Sequence, residues 1–379
     1  MFEKEIEFIR QLYSKSEFVP LHEPRFSKND INTVSECIKS SYVSSIGEYV
    51  ELLENKISKI ASSDYAVATS SGTSALHIAL LVAGVVRNDE VITQPLSFVA
   101  TSNAIKYCGA NPVFVDVDID TMGLAPNSLR KFLETSTYML NGFCINKLTQ
   151  KIIRACIPVH TFGNPCRIDE IVKVCREFNI VVIEDAAESL GSTYKSKSTG
   201  GIADIGIYSF NGNKIVTGGS GGCLVTNNEE YAIRAKHLST TARIQNGASF
   251  FHDQIGYNYR LPNINASLLC SQLENLDLFI ENKRKIHHEY SKLFSNSEIK
   301  LLNEITFARS NYWLNTIILK DQNCRDSFIE EMNKNKIMTR PTWTLLNQLP
   351  MFESCQTHSE ENAKFISLRA VNIPSSVNV

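Results

Sequence analysis

Residues 209–222, SFNGNKIVTGGSGG, place one lysine between a strand-like stretch and a glycine-rich loop. Lys214 follows Ser209 by five positions, and glycines stand at positions 218, 219, 221 and 222. A loop lysine is most often a solvated surface residue, and loop glycines most often mark turns. The pattern also suits a lysine nucleophile held beside a phosphate, because glycine lets the backbone turn sharply and approach a ligand closely.

The chain around this segment, from about residue 65 to residue 265, alternates β-rich runs with stretches such as RIDEIVKVCREF that have helical apolar spacing. Continuous apolar strands between helices predict an α/β fold, with a mostly parallel central sheet covered by helices on both faces. In such sheets ligands gather beyond the carboxyl ends of the strands. The predicted strands are DEVITQP, NPVFVDVD, RACIPVH, NIVVIEDAA, DIGIYSF and GGCLVTN.

The pattern changes after about residue 265. Residues 265–294, NASLLCSQLENLDLFIENKRKIHHEYSKLF, are amphipathic and predict one long helix. A strand, SNYWLNTIIL, and a helix, CRDSFIEEMNKNK, follow it. We therefore predict a large domain over residues 1–265, which includes an N-terminal helical segment, and a smaller C-terminal α+β domain over residues 266–379.

The overall composition argues against several classes of protein. The 379 residues carry a formal net charge of -2, so no global basic field attracts nucleic acid or anionic lipid, and we expect neither as a partner. The ten cysteines include no Cys-x-x-Cys pair, so no metal site is predicted, and their scatter is typical of a reduced, cytoplasmic protein. The longest apolar run, residues 75–86, is too short to span a membrane.

Candidate site residues stand at the ends of predicted strands. Ser71, Gly72 and Thr73 connect a strand to a helix, where free backbone N–H groups bind anions, although a simple helix cap has the same sequence. Asp185 ends a buried strand, where a carboxylate suits either a helix cap or the protonated ring nitrogen of pyridoxal phosphate (PLP). Lys214 could form a Schiff base with the same cofactor.

Two further residues fit the same hypothesis. Ser209 could donate a hydrogen bond to the phosphate, and Phe98 could either stack on the pyridine ring or belong to the core. An anion cradle, a strand-end aspartate, a lysine and a glycine-rich loop are together the parts that a PLP site needs. The combination is more specific than any one of its parts.

On these motifs the chain resembles the sugar-nucleotide aminotransferases of the DegT/DnrJ/EryC1/StrS family, which are PLP enzymes of fold type I. The resemblance covers nearly the whole chain. Some members are dehydratases with histidine at the lysine position, so Lys214 favours transamination. The motifs that carry the resemblance are SSGTSALHIAL, DEVITQPLSFVATSNAI, GANPVFVDVD, IEDAAESLGS, GIYSFNGNKIVTGGSGG and IGYNYRLPNINASLLCSQLENL.

The resemblance implies a role for each matching residue. Lys214 would form the internal aldimine with PLP, and Asp185 would hold the pyridine nitrogen. Asn258, in YNYR, would reach the phosphate from the neighbouring subunit, which implies a homodimer with shared active sites. Glu188 stands near the cofactor where many members have Gln or His, and a carboxylate there would be repelled by the phenolate unless it is protonated or turned away. The remaining cofactor contacts are implied for Gly72, Thr73, Phe98 and Ser209.

A second set of motifs resembles the subgroup associated with legionaminic acid and related bacterial surface sugars. It implies C4 amination of a UDP-linked 4-keto-6-deoxy-N-acetylhexosamine, for sugars of the legionaminic acid or bacillosamine type found in lipopolysaccharide or O-antigen. L-Glutamate would be the amino donor, 2-oxoglutarate its product and pyridoxamine phosphate the intermediate. These motifs are LHEPRF, YVSSIGEYVE, STTAR, HDQIGYNYRLPNIN, SNYWLN, TRPTWTLL and VNIPSS.

Substrate contacts are predicted at five positions. Arg243, in TTARIQNG, and Arg340, in TRPTW, are candidates for binding the diphosphate, with surface or structural arginines as the alternative. Tyr42 and Ser44, in YVSSIG, could line the sugar pocket or form the entry to a helix. His160, in PVHTFG, ends a strand and could touch cofactor or substrate, or satisfy the backbone there.

Other functions stay open at this point. The same chemistry could act on a GDP-linked 4-keto-6-deoxymannose or on an eight-carbon keto-sugar acid, because no short motif identifies the nucleotide base. A PLP-binding regulator without turnover is a second alternative, although the chain keeps Lys214. A dinucleotide-binding enzyme is set aside, because GGSGG precedes a strand and no Gly-x-Gly-x-x-Gly opens a helix.

Overall fold

The computed structural model describes residues 2–14, 17–246 and 249–378. Within these ranges the helices are α1 (Glu3–Tyr13), α2 (Lys28–Lys39), α3 (Glu48–Ala61), α4 (Gly72–Val82), α5 (Ala100–Tyr107), α6 (Pro126–Ser136), α7 (Ile168–Glu177), α8 (Glu229–Ser239), α9 (Asn263–Gln272), α10 (Leu276–Phe294), α11 (Gln322–Lys334) and α12 (Glu361–Ser367). The strands are β1 (Tyr65–Thr69), β2 (Glu90–Thr93), β3 (Asn111–Phe114), β4 (Thr137–Leu140), β5 (Phe143–Asn146), β6 (Ile152–Ile157), β7 (Val181–Asp185), β8 (Thr193–Tyr194), β9 (Lys197–Ser198), β10 (Ile205–Ser209), β11 (Gly222–Thr226), β12 (Arg243–Asn246), β13 (Ser249–His252), β14 (Lys300–Leu301), β15 (Ala308–Arg309), β16 (Asn315–Ile318), β17 (Arg340–Pro341) and β18 (Ala370–Ile373).

The central sheet has the strand order β1-β11-β10-β7-β6-β2-β3, and the hairpin β4-β5 joins it through β6. The neighbours from β10 to β3 are parallel, whereas β11 is antiparallel to both β1 and β10. The six strands predicted from the sequence are β2, β3, β6, β7, β10 and β11. The predicted α/β fold, with a mostly parallel central sheet and helices on both faces, is confirmed.

Both faces of the sheet are covered because successive side chains of a strand point to opposite sides. On β10, Ile205 and Ile207 pack with α4, α5 and α8 in one core, while Tyr208 packs with α3, α9 and α10 in another. A third core places α6 and α7 against β3, β6 and β7. Burial on both faces therefore explains why these strands are continuous apolar runs.

The C-terminal part of the chain forms a second sheet, antiparallel throughout, in the order β14-β16-β18-β17. One core joins this sheet to α10, α11 and the N-terminal helix α1, whose Ile9 and Tyr13 are buried in it. The N-terminal helix thus packs on the smaller, C-terminal part of the molecule. The division at residue 265 stays our proposal for the domain boundary.

The single helix predicted over residues 265–294 is two helices, α9 and α10, separated by a 3-10 turn at Leu273–Asn275. Asn275 leaves the helical conformation, with φ -100° and ψ 4°, which fits the weak helix propensity of asparagine. The first half of α10 packs under the central sheet and its second half packs in the C-terminal core. None of the helices in the described ranges is both long and apolar enough to cross a bilayer.

Candidate active site

A cavity of about 520 Å³ lies beyond the carboxyl ends of β7 and β10, where this type of sheet binds ligands. The segments after β1 and β2 contribute to its wall, and the C-terminal region adds Trp313 and Trp343. Most of the site residues predicted from the sequence line this cavity. They are Gly72, Thr73, Phe98, Asp185, Glu188, Ser209, Lys214 and Arg340.

The start of α4, which the sequence predicts as an anion cradle, lines the cavity. Ser71 caps this helix, because its Oγ accepts a hydrogen bond from Ser74 N at 3.0 Å. The first N–H groups of a helix have no acceptor within the helix, so those of Gly72 and Thr73 suit an anion. A Cβ on Gly72 would lie 2.8 Å from Ser209 Cβ. The glycine is therefore needed to leave a gap beside the predicted phosphate donor.

The glycine-rich loop ends beside this cradle because β11 runs antiparallel to its two neighbours. Gly222, the first residue of β11, pairs with Thr69 at the end of β1 and with Ser209 at the end of β10. A Cβ on Gly222 would lie 2.4 Å from the carbonyl carbon of Ser71, so only glycine fits there. The loop after Lys214 thus returns to the phosphate end of the cavity.

Asp185 ends β7 and is buried in the cavity wall. Its Oδ2 accepts a hydrogen bond from Thr101 Oγ1 at 2.8 Å, and its Oδ1 accepts one from Ala187 N at 3.2 Å. Burial raises the pKa of this carboxyl, and these hydrogen bonds and the charge of Lys214 oppose the shift. A cation bound against Asp185 would favour its ionised form, as the protonated nitrogen of a pyridine ring would do.

The Lys214 amine lies inside the cavity between a carboxyl group and an aromatic ring. Its Nζ is 3.4 Å from Glu188 Oε1 and 4.0 Å from the centre of the Trp313 ring. Glu188 Oε2 accepts a hydrogen bond from Phe162 N at 2.8 Å. Burial raises the pKa of Glu188, and the nearby charge of Lys214 lowers it. With only 13% of its side chain exposed, Lys214 is not an ordinary surface lysine.

Three aromatic residues of the cavity were not predicted as site residues. The Phe162 ring lies 4.7 Å from the Trp343 ring and 6.5 Å from the Trp313 ring, measured between centroids. All three line the same wall. The only signal in the sequence is that the chain has two tryptophans and that both fall in motifs of the family resemblance, SNYWLN and TRPTWTLL.

His160 lies outside the cavity lining, within the part of the chain that the structure describes. Its side chain is fully buried, and its Nδ1 accepts a hydrogen bond from Cys166 N at 3.2 Å. The proton therefore sits on Nε2, which donates to Glu184 Oε2 at 3.0 Å. These are the local contacts that were one of the two alternatives for His160, and its contact with cofactor or substrate stays a prediction.

Tyr42 and Ser44 lie at the surface, also outside the described lining of the cavity. The Asn263 side chain donates to Tyr42 O at 2.6 Å, and Asn263 N donates to Ser44 O at 2.6 Å. These bonds hold the segment before α3, while the Tyr42 side chain remains 62% exposed. The structure thus shows the helix entry that was one of the two alternatives for these residues.

Arg243 and Asn258 are exposed as well and do not line the cavity in the described ranges. Arg243 begins the hairpin β12-β13, and its guanidinium carbon lies 4.2 Å from the centre of the Phe250 ring. Asn258 Oδ1 accepts a hydrogen bond from Arg260 Nε at 3.3 Å. The predicted roles of these two residues at substrate and cofactor stay predictions.

The sequence profile of the DegT/DnrJ/EryC1/StrS aminotransferase family matches residues 24–379. The chain belongs to this family. GDP-perosamine synthase of Escherichia coli O157:H7 is 35% identical over 359 residues, which cover 94% of this chain and 93% of that protein. A putative pyridoxal phosphate-dependent aminotransferase of Bacillus subtilis, EpsN, is 34% identical over 364 residues, or 95% of this chain and 91% of that protein.

Solved structures show the same fold. The PLP form of the putative sugar aminotransferase Spr1654 from Streptococcus pneumoniae superposes with a TM-score of 0.85 at 23% identity, and it covers 96% of this chain and 94% of that chain. The aminotransferase TlmJ from Streptoalloteichus hindustanus has a TM-score of 0.85 at 22% identity, with 94% and 93% of the two chains covered. The central sheet and its flanking helices are therefore those of this enzyme class.

As a member of the DegT/DnrJ/EryC1/StrS family, the chain is a sugar aminotransferase that depends on PLP. Its cavity fits the cofactor in three respects. The gap at Gly72 beside Ser209 suits the phosphate, the buried Asp185 suits the protonated ring nitrogen, and Lys214 supplies an amine in the same cavity. Across the described ranges, no group of three or more His, Cys, Asp or Glu residues is placed to hold a metal ion.

Proposed function

We propose that this aminotransferase moves the amino group of L-glutamate to C4 of a UDP-linked 4-keto-6-deoxy-N-acetylhexosamine, in the biosynthesis of a bacterial surface sugar. The observation that carries the chemistry is that Lys214, Asp185 and the Gly72 cradle line one cavity. The choice of acceptor is supported by motifs such as TRPTWTLL, which resemble the surface-sugar subgroup. The same motif supplies Arg340 and Trp343 to the cavity wall.

The proposal assigns a role to Lys214, to Asp185 and to the residues that would bind the phosphate. When PLP is bound, it supplies an electron sink that stabilises negative charge on the carbon that loses its proton. Lys214 removes the proton from Cα of glutamate with its free amine, and in the second half of the reaction it delivers a proton to C4 of the sugar. Asp185 keeps the ring nitrogen protonated, while Ser209 and the start of α4 bind the phosphate.

Arg340 is the residue that we propose for the anionic groups of the substrates. Its side chain lines the cavity and is exposed, and its guanidinium makes no hydrogen bond or ion pair with the residues that the structure describes. An unpaired guanidinium suits bidentate binding of a carboxylate or a phosphate. Arg243 stays a proposal for the diphosphate, and Tyr42, Ser44 and His160 stay proposals for the sugar.

A second acceptor has support of its own. Three curated relatives at 31–35% identity are named GDP-perosamine synthase, so their product is a GDP-linked amino sugar. A GDP-linked 4-keto-6-deoxymannose would meet the same lysine, because the chemistry at the keto carbon does not depend on the base. The two nucleotide sugars are therefore compared directly in the experiment below.

The visible absorption spectrum of the PLP-loaded protein tests donor and acceptor together. We expect L-glutamate to bleach the long-wavelength band of the cofactor, and the UDP-linked keto sugar to restore it. The variant Lys214→Ala should show neither change, because it has no amine to move the proton. The variant Arg340→Ala should keep the starting spectrum and require more of an anionic substrate for the same response.

Each other outcome has a distinct meaning. Recovery with the GDP-linked sugar alone would replace the acceptor and keep the transamination. Recovery with neither sugar would reject both acceptors. If glutamate leaves the spectrum of the loaded protein unchanged, the glutamate-dependent reaction is rejected and a PLP-binding protein without turnover becomes the better description.

We also propose a homodimer in which Asn258 of one subunit reaches the phosphate bound by the other. This is supported by the exposure of Asn258, which does not reach the cavity of its own chain, and by Phe98, which lines the cavity yet is 54% exposed. Co-expression of Lys214→Ala with Asn258→Ala should restore about one quarter of the wild-type sites, since each mixed dimer has one intact site. No recovery would contradict shared sites.

A further inference from the structure

Free Lys214 has a defined resting place in the cavity, formed by Glu188 and Trp313. Lys214 Nζ lies 3.4 Å from Glu188 Oε1 and 4.0 Å from the centre of the Trp313 ring. Both neighbours are suitable partners for an ammonium group, because a carboxylate pairs with it and the face of an indole ring attracts a cation. The proposed reaction has so far given neither neighbour a task.

Asn311 fixes the two sides of this resting place to each other. Its Oδ1 accepts a hydrogen bond from Trp313 N at 2.8 Å, and its Nδ2 donates to Glu188 O at 3.0 Å. The Asn311 side chain is fully buried, so these bonds do not compete with water. The distance between the carboxyl group and the indole ring is therefore set by the fold and not by Lys214 itself.

Further hydrogen bonds hold Trp313 over the lysine. Trp313 Nε1 donates to the carbonyl of Asn213 at 2.7 Å, which ties the ring to the residue before Lys214. The carbonyl of Trp313 accepts a hydrogen bond from Nζ of the buried Lys283 at 3.1 Å. With both backbone groups and its ring nitrogen engaged, Trp313 has little freedom to turn away from the amine.

The carboxyl group of Glu188 is held in the same way. Its Oε2 accepts a hydrogen bond from Phe162 N at 2.8 Å, and its Oε1 is left to face Lys214. Phe162 has a φ of 57°, in the left-handed region that a bulky residue rarely adopts. This local backbone shape directs its N–H group to Glu188, so the orientation of the carboxyl group is built into the chain.

We infer that Glu188 and Trp313 are positioning residues that receive the Lys214 amine when it is displaced from the cofactor, and that they hold its ammonium form once it has taken the substrate proton. This inference rests on the proposed transamination, in which the substrate displaces Lys214 and the lysine must later return. The proton that Nζ takes from the substrate rests there only until it is passed on in the same half of the reaction, and the Glu188 carboxylate meanwhile balances the charge of the ammonium group inside the cavity. The amine is thus kept close to the reacting carbon without being lost to solvent.

The first test measures the reactivity of the free amine in the full chain, after hydroxylamine has removed any cofactor. Acetic anhydride reacts with neutral amines only, and mass spectrometry of the peptides gives the labelling rate of each lysine. In Glu188→Gln we expect Lys214 to be labelled about tenfold faster, because the variant loses the carboxylate that lies 3.4 Å from Nζ and pairs with it. Lys236, paired with Glu54 at 2.6 Å outside the cavity, is the internal control and should not change.

The aromatic side of the resting place is tested in parallel. Trp313→Leu should speed the labelling of Lys214 by about threefold, because the cation loses its aromatic face, and Trp313→Phe should recover most of the wild-type rate. Trp343→Phe is the matched control. Trp343 lines the same cavity and packs on Phe162, but the described structure shows no contact between its ring and Lys214 Nζ.

A second readout tests the part played in the catalytic cycle. In the loaded enzyme, Glu188→Gln should lower kcat with glutamate by about tenfold and leave KM nearly unchanged, because the carboxylate acts on the lysine and not on the bound donor. An unchanged kcat would overturn this part of the inference. Equal labelling of Lys214 in the wild type, Glu188→Gln and Trp313→Leu would overturn the resting place itself. Labelling needs no substrate, so that result would leave the aminotransferase proposal standing, and a failure of glutamate to react would leave the resting place standing.

Discussion

At the scale of single residues, the cavity depends on missing side chains as much as on reactive ones. Gly72 lies against Ser209, and Gly222 lies against the backbone of Ser71. Because neither glycine carries a Cβ atom, space remains beside the position that we predict for the phosphate. Lys214 and Asp185 are the residues that we propose for the chemistry, and these gaps leave the space in which a cofactor could lie beside them.

Gly72→Ala should therefore weaken binding of PLP without unfolding the protein. The added Cβ would lie 2.8 Å from Ser209 Cβ and must push the predicted phosphate donor aside. Such overpacking costs about 1–3 kcal/mol, which corresponds to a loss of affinity of about fivefold to a hundredfold. Spectrophotometric titration of the cofactor-free protein with PLP measures this change.

The matched control is Gly212→Ala in the loop that carries Lys214. A Cβ there would have its nearest neighbour, Gly219 O, at 4.0 Å, so it meets no obstacle. The control should bind PLP with nearly the wild-type affinity. Equal affinities for the two variants would mean that the gap at Gly72 does not receive the phosphate.

Residues close together in the sequence were predicted more successfully than residues brought together by folding. The turn with Gly72, the strand-end Asp185 and the lysine before the glycines can each be recognised from a few neighbours. Trp313 could not be predicted, because its ring bonds to Asn213, which lies 100 positions away in the chain. A contact of that kind leaves no local pattern of spacing or propensity.

At the scale of elements, the start of α4 is a capped helix end that also suits an anion. Ser71 accepts the hydrogen bond of the third helical residue, which leaves the earlier N–H groups for a ligand. The antiparallel strand β11 then brings the glycine-rich loop to the same place. The predicted phosphate site thus lies where β1 and β10 end beside the start of α4.

Ser71→Ala should affect both stability and cofactor binding. Loss of the cap removes about 1 kcal/mol from the free energy of unfolding, and the less ordered helix start should also bind PLP more weakly. Asn228→Ala is the control, because Asn228 caps α8 through Tyr231 N at 3.2 Å and lies outside the cavity lining. Thermal unfolding should show a similar loss for both variants. If PLP affinity also falls equally in both, the α4 terminus has no special part in binding.

At the scale of the whole molecule, α10 connects the core under the central sheet with the C-terminal core, and the buried side chain of Lys283 lies along it. Lys283 is fully buried, and its Nζ donates hydrogen bonds to the carbonyls of Trp313 and Ser375. Trp313 stands over Lys214, so this lysine also supports the C-terminal wall of the cavity. Burial lowers the pKa of Lys283 to about 7.

This shift predicts how stability varies with pH. Between pH 7 and the usual lysine pKa of about 10.4, the unfolded chain binds more protons at Lys283 than the folded chain does. The free energy of unfolding of the wild type should therefore rise with pH relative to Lys283→Met, by at most about 1.4 kcal/mol per pH unit. Urea unfolding of both proteins at pH 7, 8 and 9 measures the difference. Parallel curves would show that Lys283 keeps the same charge in both states.

The sequence by itself determined the alternation of strands and helices and the mostly parallel character of the sheet, and it singled out the lysine that we propose as the reactive one. These features depend on periodicity and on residues a few positions apart, so they can be recognised from short segments of the sequence. Only the tertiary structure decided that α1 packs on the C-terminal sheet, that His160 turns to Glu184, and that Glu188 and Trp313 enclose the Lys214 amine. Those contacts depend on which surfaces meet when distant segments bury their apolar faces, and no local spacing specifies that choice.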